Sequence, residues 1–151
     1  MFGAIREDIV SFILARAKQV ELPAAEYFFR QGERGSSAFL LERGSVSVIK
    51  EWQGQEHLLR RLVAGDFFGE VALLDFGARS ASVLADRDCG ALEITARDLQ
   101  QVAKLDAEQF GLIYMNLGRE LSRRLRDADD RVFRARFEVN EAIDGYTFAV
   151  M

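Results

Sequence analysis

A carboxylate and a guanidinium, Glu70 and Arg79, lie nine residues apart in the most distinctive stretch of this sequence. Glu70 begins a run of five residues (EVALL) that suits one or two helical turns, and Arg79 begins a run (RSASVL) that is typical of a strand. Arginine binds phosphate through a planar fork of N–H groups, and a carboxylate accepts hydrogen bonds from sugar hydroxyls. The pair therefore indicates a site for a phosphorylated sugar.

The residues around the pair predict how it is held. We expect Asp66, after a Gly-Asp turn, to cap the short helix, and Gly77 to end it. Gly69 lets backbone amides approach a ligand without an intervening side chain. The free N–H groups at the start of the helix favour an anion.

Two segments carry a resemblance to a known family. The first reads FGEVAL, then a spacer of five residues, then RSASV, beginning at Phe68. It resembles the phosphate-binding cassette of cyclic nucleotide-binding domains, the family of catabolite activator proteins and of the regulatory subunits of protein kinase A. The second segment, from Gly32 to Gly44, is similar to the first half of the same domain. The resemblance covers roughly residues 5–135.

This resemblance implies a role for each cassette residue. Glu70 accepts a hydrogen bond from the ribose 2′-hydroxyl, and Arg79 pairs with the cyclic phosphate. The implied ligand-binding set is Gly69, Glu70, Val71, Ala72, Arg79, Ser80 and Ala81. Cyclic AMP is favoured over cyclic GMP as the ligand, although a serine at position 80 is compatible with either base. We interpret three further glycines as turn formers only, namely Gly32, Gly35 and Gly44.

Five more residues are candidates for the pocket wall or the base contact. By resemblance, Val48, Leu59 and Phe68 contribute to the wall, although the first two could equally be ordinary core. Matching the long helix to that of the family brings Ala128 and Asp129 to the position that reads the base. Asp129 can accept from an amino group, which adenine and guanine both offer, whereas Ala128 has no polar group.

The length of 151 residues fits a single domain, residues 1–151, and the pattern of apolar residues predicts that it is mainly β with flanking α. Short β-rich runs separated by glycines favour a sandwich or a rolled sheet. The family resemblance implies the second, an antiparallel β-roll or double-stranded jelly roll. We expect an N-terminal helix (4–18), the β-roll (19–95), a short helix (96–104), a long C-terminal helix (107–138) and a tail (139–151). Thr95 and Asp98 have the form of a capping box, and Asp106 starts a second such signal.

Apolar residues follow the long helix at alternating steps of three and four, from Tyr114 to Val139, which is a coiled-coil seam. This pattern predicts a homodimer through residues 114–139. The alternative, that the helix packs against its own β-roll, is favoured before Leu121.

Composition excludes several other classes of protein. The net charge of −4 argues against a general nucleic-acid surface, and residues 138–151 are too short for a helix-turn-helix domain, so we expect no DNA binding. One histidine cannot form a metal cluster, and the single cysteine, Cys89, fits a reducing, cytoplasmic setting. No apolar run is long enough to span a membrane, and no catalytic residues or cofactor are indicated.

The leading hypothesis is therefore a non-enzymatic sensor of a cyclic nucleotide, in which binding docks the C-terminal helix over the base. The helix thereby shifts between a free and a closed position, and its effector protein is unknown. The alternative is a dimerisation or protein-interaction scaffold whose pocket binds another anion or nothing.

Overall fold

The computed structural model describes the backbone of residues 1–149 and the side chains of residues 1–139. Its contacts divide the chain into two units, Phe2–Ile113 and a second unit that contains Met1 and the residues from Tyr114 onward. The elements in chain order are α1 (Glu7–Arg16), β1 (Lys18–Leu22), β2 (Tyr27–Phe29), β3 (Ser37–Arg43), β4 (Ser45–Trp52), β5 (Gln55–Val63), β6 (Phe67–Phe68), α2 (Val71–Asp75), β7 (Ser82–Ala85), β8 (Cys89–Thr95), α3 (Ala96–Leu105) and α4 (Ala107–Ala149).

The eight strands form two four-stranded sheets, in the orders β1-β8-β3-β6 and β2-β7-β4-β5. Every strand pair is antiparallel. This architecture confirms the predicted β-roll with an N-terminal helix and a long C-terminal helix.

One apolar core is built from strands of both sheets, because alternate residues of each strand point to the same face. Aromatic rings form its centre: Phe39 and Phe68 stack with centroids 5.2 Å apart, and Phe28 meets both rings edge-on. Val48, a candidate for the pocket wall, is buried in this core, and so is Phe68. These two side chains thus help to hold the two sheets together.

The β4–β5 hairpin forms as its turn residues predict. Gln53 and Gly54 both have positive φ angles, 51° and 77°, which is the backbone of a two-residue turn that suits the twist of a hairpin. Further along, Val48 pairs with Arg60 and Ile49 with Leu58, so Leu59 lies in a bulge of β5. Its side chain is 49% exposed.

The short helix of the cassette differs in detail from the prediction. Asp66 does not cap it: its carboxylate accepts from the amide of Val63 at 2.9 Å, and its own amide donates to the carbonyl of Val63. The aspartate therefore closes the preceding turn, where its partner is only three residues away. Gly77 does not end the helix either, since α2 ends at Asp75 and Phe76 adopts the left-handed conformation.

The starts of α3 and α4 confirm the predicted capping signals. The Thr95 hydroxyl accepts from the amide of Asp98, and the Asp98 carboxylate accepts from the amide of Thr95, as a capping box requires. The Asp106 carboxylate accepts from the amide of Gln109 at 3.1 Å and from Arg6 at 2.7 Å. The segment before α1 thereby holds the first turn of α4.

The long helix continues to Ala149, beyond the predicted end at residue 138, so most of the predicted tail is helical. The only proline of the chain is Pro23, and none therefore interrupts α4. Residues 150 and 151 of that tail lie outside the described residues. Within the part that the structure describes, no helix combines the length and apolar character that a bilayer-spanning segment needs.

The capping box gives a test of local stability. Thr95→Ala should lower the free energy of unfolding by about 1 kcal/mol, because the Asp98 amide loses its acceptor. Thr95→Ser keeps the hydroxyl and is the matched control, with a loss well below that of alanine. Urea denaturation followed by circular dichroism measures both variants, and equal losses would contradict this role of the hydroxyl.

Candidate functional site

The guanidinium of Arg79 is buried inside the cassette, with 8% of the residue exposed. Its Nη1 donates to the carbonyl oxygens of Ser37 at 2.8 Å and Gly69 at 2.9 Å. Its Nη2 donates to the hydroxyl of Ser37 at 3.3 Å. These contacts join the start of β3 to the loop between β6 and α2, so the side chain has a defined position.

Two further groups enclose the guanidinium. Its Cζ lies 4.0 Å from the centre of the Phe29 ring, a cation–π contact. A Cβ atom placed on Gly35 would come within 2.3 Å of Nε, 2.4 Å of Cζ and 2.6 Å of Nη2. Gly35 is therefore required for close approach and is not only a turn former, which corrects the interpretation from sequence.

The backbone of Arg79 is fixed by the loop that precedes β3. The Arg79 amide donates to the carbonyl of Glu33 at 2.7 Å, and the amide of Gly32 donates to the carbonyl of Arg79 at 2.9 Å. Arg34 and Ala78 form an antiparallel bridge beside them. The two segments that carry the family resemblance are thus paired through their backbones.

Gly69 and Glu70 lie on the other side of this arrangement. Gly69 has φ +76°, and a Cβ there would come 2.8 Å from Nη1 of Arg79, so both conformation and space favour glycine. Glu70 precedes α2 and is almost fully buried, with 1% exposed. A carboxylate is therefore held inside the same loop whose carbonyl binds the guanidinium.

The other predicted contacts of the cassette divide by exposure. Ala72 and Ala81 are buried, Val71 is 37% exposed and Ser80 is exposed. Ala128 and Asp129 are exposed on α4, in the unit that contains the residues from Tyr114 onward. The ligand roles of these residues, and those of Val48, Leu59 and Phe68, stay predictions.

The surroundings of Arg79 change the pKa of its guanidinium in two directions. Burial lowers the pKa of the guanidinium, and the negative charges of Glu93 and Glu33 act in the opposite direction. The group nevertheless stays protonated, because the unperturbed pKa of arginine lies far above neutral pH. A permanent positive charge is thus held at this site, with the carboxylates of Glu93 and Glu33 partly offsetting the effect of burial on its pKa.

Sequence reasoning missed Gly35, Ser37 and Phe29 as parts of this site. The spacing of Gly32 and Gly35 indicated that Gly35 has a special role. Its close approach to Arg79, 44 positions later, is not visible in a local pattern. Among the described residues, no group of three or more histidine, cysteine, aspartate or glutamate side chains could hold a metal ion.

Comparison with known proteins gives a consistent result. A family model described as the cyclic nucleotide-binding domain matches residues 19–106. The chain is 32% identical over 130 residues to the cyclic AMP receptor protein of Thermus thermophilus, covering 85% of this chain and 58% of that relative. A cGMP-dependent protein kinase of Caenorhabditis briggsae is 33% identical over 107 residues, 70% of this chain and 14% of the kinase.

A solved structure supports the same relationship. The crystal structure of the catabolite activator protein of Thermus thermophilus matches with a TM-score of 0.80 and 32% identity, over 91% of this chain and 63% of that chain. The chain thus spans little more than half the length of its bacterial relative. It belongs to the cyclic nucleotide-binding domain family.

The close approach at Gly35 gives a second test. Gly35→Ala should lower the free energy of unfolding by about 1–3 kcal/mol, because the added methyl overlaps the Arg79 guanidinium. Gly111→Ala is the matched control: a Cβ there meets nothing within 4 Å, and α4 should gain about 0.5–1 kcal/mol from it.

Denaturant unfolding measures these changes. In an Arg79→Ala background the loss caused by Gly35→Ala should largely disappear, since the overlapping group is gone. A loss of the same size in both backgrounds would contradict the contact.

Proposed function

We propose that this chain binds a cyclic nucleotide through Arg79 and acts as a sensor without catalysing a reaction. One observation carries the proposal. A guanidinium has five N–H donors, and the described contacts use three of them, all on the side that faces Ser37 and Gly69. The remaining two are on Nε and Nη2, the edge that forms a bidentate contact with phosphate.

Glycine at position 35 is consistent with this proposal. A Cβ on Gly35 would meet Nε, Cζ and Nη2 first, so any larger residue at position 35 would take the space beside these two donors. The buried carboxylate of Glu70 is the proposed acceptor for the ribose 2′-hydroxyl. Ser80, the amides near Gly69 and Ala72, and the flanking Val71 and Ala81 complete the proposed contacts.

We propose cyclic AMP in preference to cyclic GMP. The relative that is named as a cyclic AMP receptor protein matches over 85% of this chain, more than the 70% matched by the cGMP-dependent kinase. The proposed pocket wall comprises Val48, Leu59 and Phe68, and the proposed base contacts are Ala128 and Asp129 on α4.

We also propose that ligand binding moves α4, and that α4 forms a homodimer. Residues 107–113 belong to the unit of the β-roll and the rest of the helix to the other unit. A ligand that favours one position of the helix shifts its population toward that position. Leu125, Val132 and Val139 recur every seven residues and are 55–63% exposed, as an unpartnered coiled-coil seam would be.

This exposed seam also supports the second candidate function, a dimerisation scaffold that works without a nucleotide. The two candidates differ in what they require of Arg79. Only the sensor depends on the guanidinium, whereas either function requires the seam. In both cases the partner beyond the dimer is a further effector protein.

Calorimetric titration of nucleotide-free protein with cyclic AMP, and separately with cyclic GMP, tests the sensor. Arg79→Ala should weaken binding by about two to four decades, because removing one partner of a buried ion pair costs about 3–5 kcal/mol. Arg30→Ala is the matched control, since its guanidinium also lies 4.0 Å from an aromatic ring, that of Tyr27, but outside the cassette. Unchanged affinity in the Arg79 variant would contradict the assignment.

Sedimentation equilibrium tests the seam. Val132→Asp should weaken dimerisation by about one to two decades, because it replaces an apolar contact by a charge. Arg134→Asp, two residues away on the polar side of the heptad, should have little effect. If binding moves α4, cyclic AMP should change the dimer dissociation constant of the unsubstituted chain, since the two equilibria are linked. A monomer at all concentrations would contradict the dimer.

A further inference from the structure

A second carboxylate is connected to the phosphate-binding arginine through one buried hydroxyl. Ser37 is 7% exposed, and its Oγ accepts from Nη2 of Arg79 at 3.3 Å. The same hydroxyl donates to Oε1 of Glu93 at 2.8 Å. The three side chains thus form a chain of hydrogen bonds that runs from the guanidinium to a carboxylate outside the cassette.

The pairing of β3 with β8 fixes this chain. Ser37 is opposite Thr95 and Phe39 is opposite Glu93, so Ser37 and Glu93 are diagonal neighbours on one face of the sheet. That face is the one from which Phe39 enters the core. Glu93 is half-buried there, where a carboxylate needs a hydrogen-bond donor or a positive charge.

Glu93 also compensates the charge of Arg79. Burial lowers the pKa of the guanidinium, and of the two carboxylates that oppose this change, Glu93 has the larger effect and Glu33 the smaller. Glu33 is exposed, so solvent screens its charge. Glu93 is the one of the two that a described hydrogen-bond chain joins to the guanidinium.

We propose that Glu93 is the resident counter-ion of Arg79 and that, through Ser37, it limits the affinity of the site for the cyclic phosphate. Without ligand, the carboxylate stabilises the buried guanidinium. When the phosphate binds, its negative charge adds to that of Glu93, and the repulsion between them weakens the complex. Glu93 is a positioning residue that does not itself touch the ligand, and this inference rests on the proposed function.

The test uses Glu93→Gln, which removes the charge and keeps an acceptor for the Ser37 hydroxyl. The variant should bind cyclic AMP about threefold to tenfold more tightly than the unsubstituted chain, although its free form melts at a lower temperature. Glu33→Gln is the matched control, and its effect on affinity should be smaller because that carboxylate is exposed. Calorimetry gives the affinities and thermal unfolding the melting temperatures.

A counter-ion and a residue that only supports the fold give different results. Replacing a counter-ion tightens binding and lowers stability, whereas replacing a supporting residue lowers both affinity and stability. If the unsubstituted chain binds cyclic AMP through Arg79 and Glu93→Gln binds equally or less tightly, this inference is overturned and the proposed function stands.

A double-mutant cycle tests the pairing without any ligand. Glu93→Gln and Arg79→Gln should each destabilise the free protein, and their effects should not add, because each removes the same charge interaction. Denaturant unfolding of the two single variants and the double variant measures the coupling. Additive losses would overturn the counter-ion role. Because the cycle uses no ligand, it gives this answer whether or not the chain binds a cyclic nucleotide. Absence of binding would contradict the proposed function instead.

Discussion

A buried positive charge is the constraint on which the arrangement of the cassette depends. A guanidinium removed from water needs acceptors in a fixed geometry, and those of Arg79 come from β3 and from the loop before α2. Its backbone is bound in turn by the loop that contains Gly32 and Glu33. Two segments that are distant in sequence, residues 32–37 and the loop at Gly69 with Arg79, therefore meet at this one residue.

The aromatic core and the site share residues, so the stability of the roll and the geometry of the cassette are connected. Phe29 packs in the core near Phe39 and Phe68 and also lies against the Arg79 guanidinium. A ring that is held on one side by close packing is a rigid wall for the charge on the other. The β-roll thus fixes the position of the guanidinium, and the proposed bidentate contact with phosphate depends on that position.

The long helix differs from the β-roll in the exposure of its apolar side chains. Its apolar positions at Leu125, Val132 and Val139 remain exposed, whereas the apolar residues of the β-roll are mostly inside. Exposed apolar surface in a regular heptad pattern is stabilised by association with another helix. The chain therefore combines a charged, buried site with an apolar, exposed seam, and the proposed function makes α4 the element through which the first affects the second.

The antiparallel β-roll was implied by the family resemblance. Local signals in the sequence were sufficient for the order of the elements and for the capping box at Thr95. Each depends on residues within a few positions of one another or on a repeating pattern. The types and spacing of Glu70 and Arg79 predict a site in the same way, and their roles in binding stay predictions. Local signals gave the wrong residue at both ends of α2. Asp66 closes the preceding turn instead of capping the helix, and Phe76, not Gly77, ends it in the left-handed conformation.

Only the tertiary structure decided which groups surround the arginine. The contact between Arg79 and Ser37 joins residues 42 positions apart, and the one between Ser37 and Glu93 joins residues 56 positions apart. The need for glycine at position 35 likewise comes from a side chain of another segment. Strand register and loop pairing create these contacts, and neither is encoded in the residues next to each partner. The sequence by itself therefore determined the kind of site, and the folded sheets determined its geometry and its charge balance.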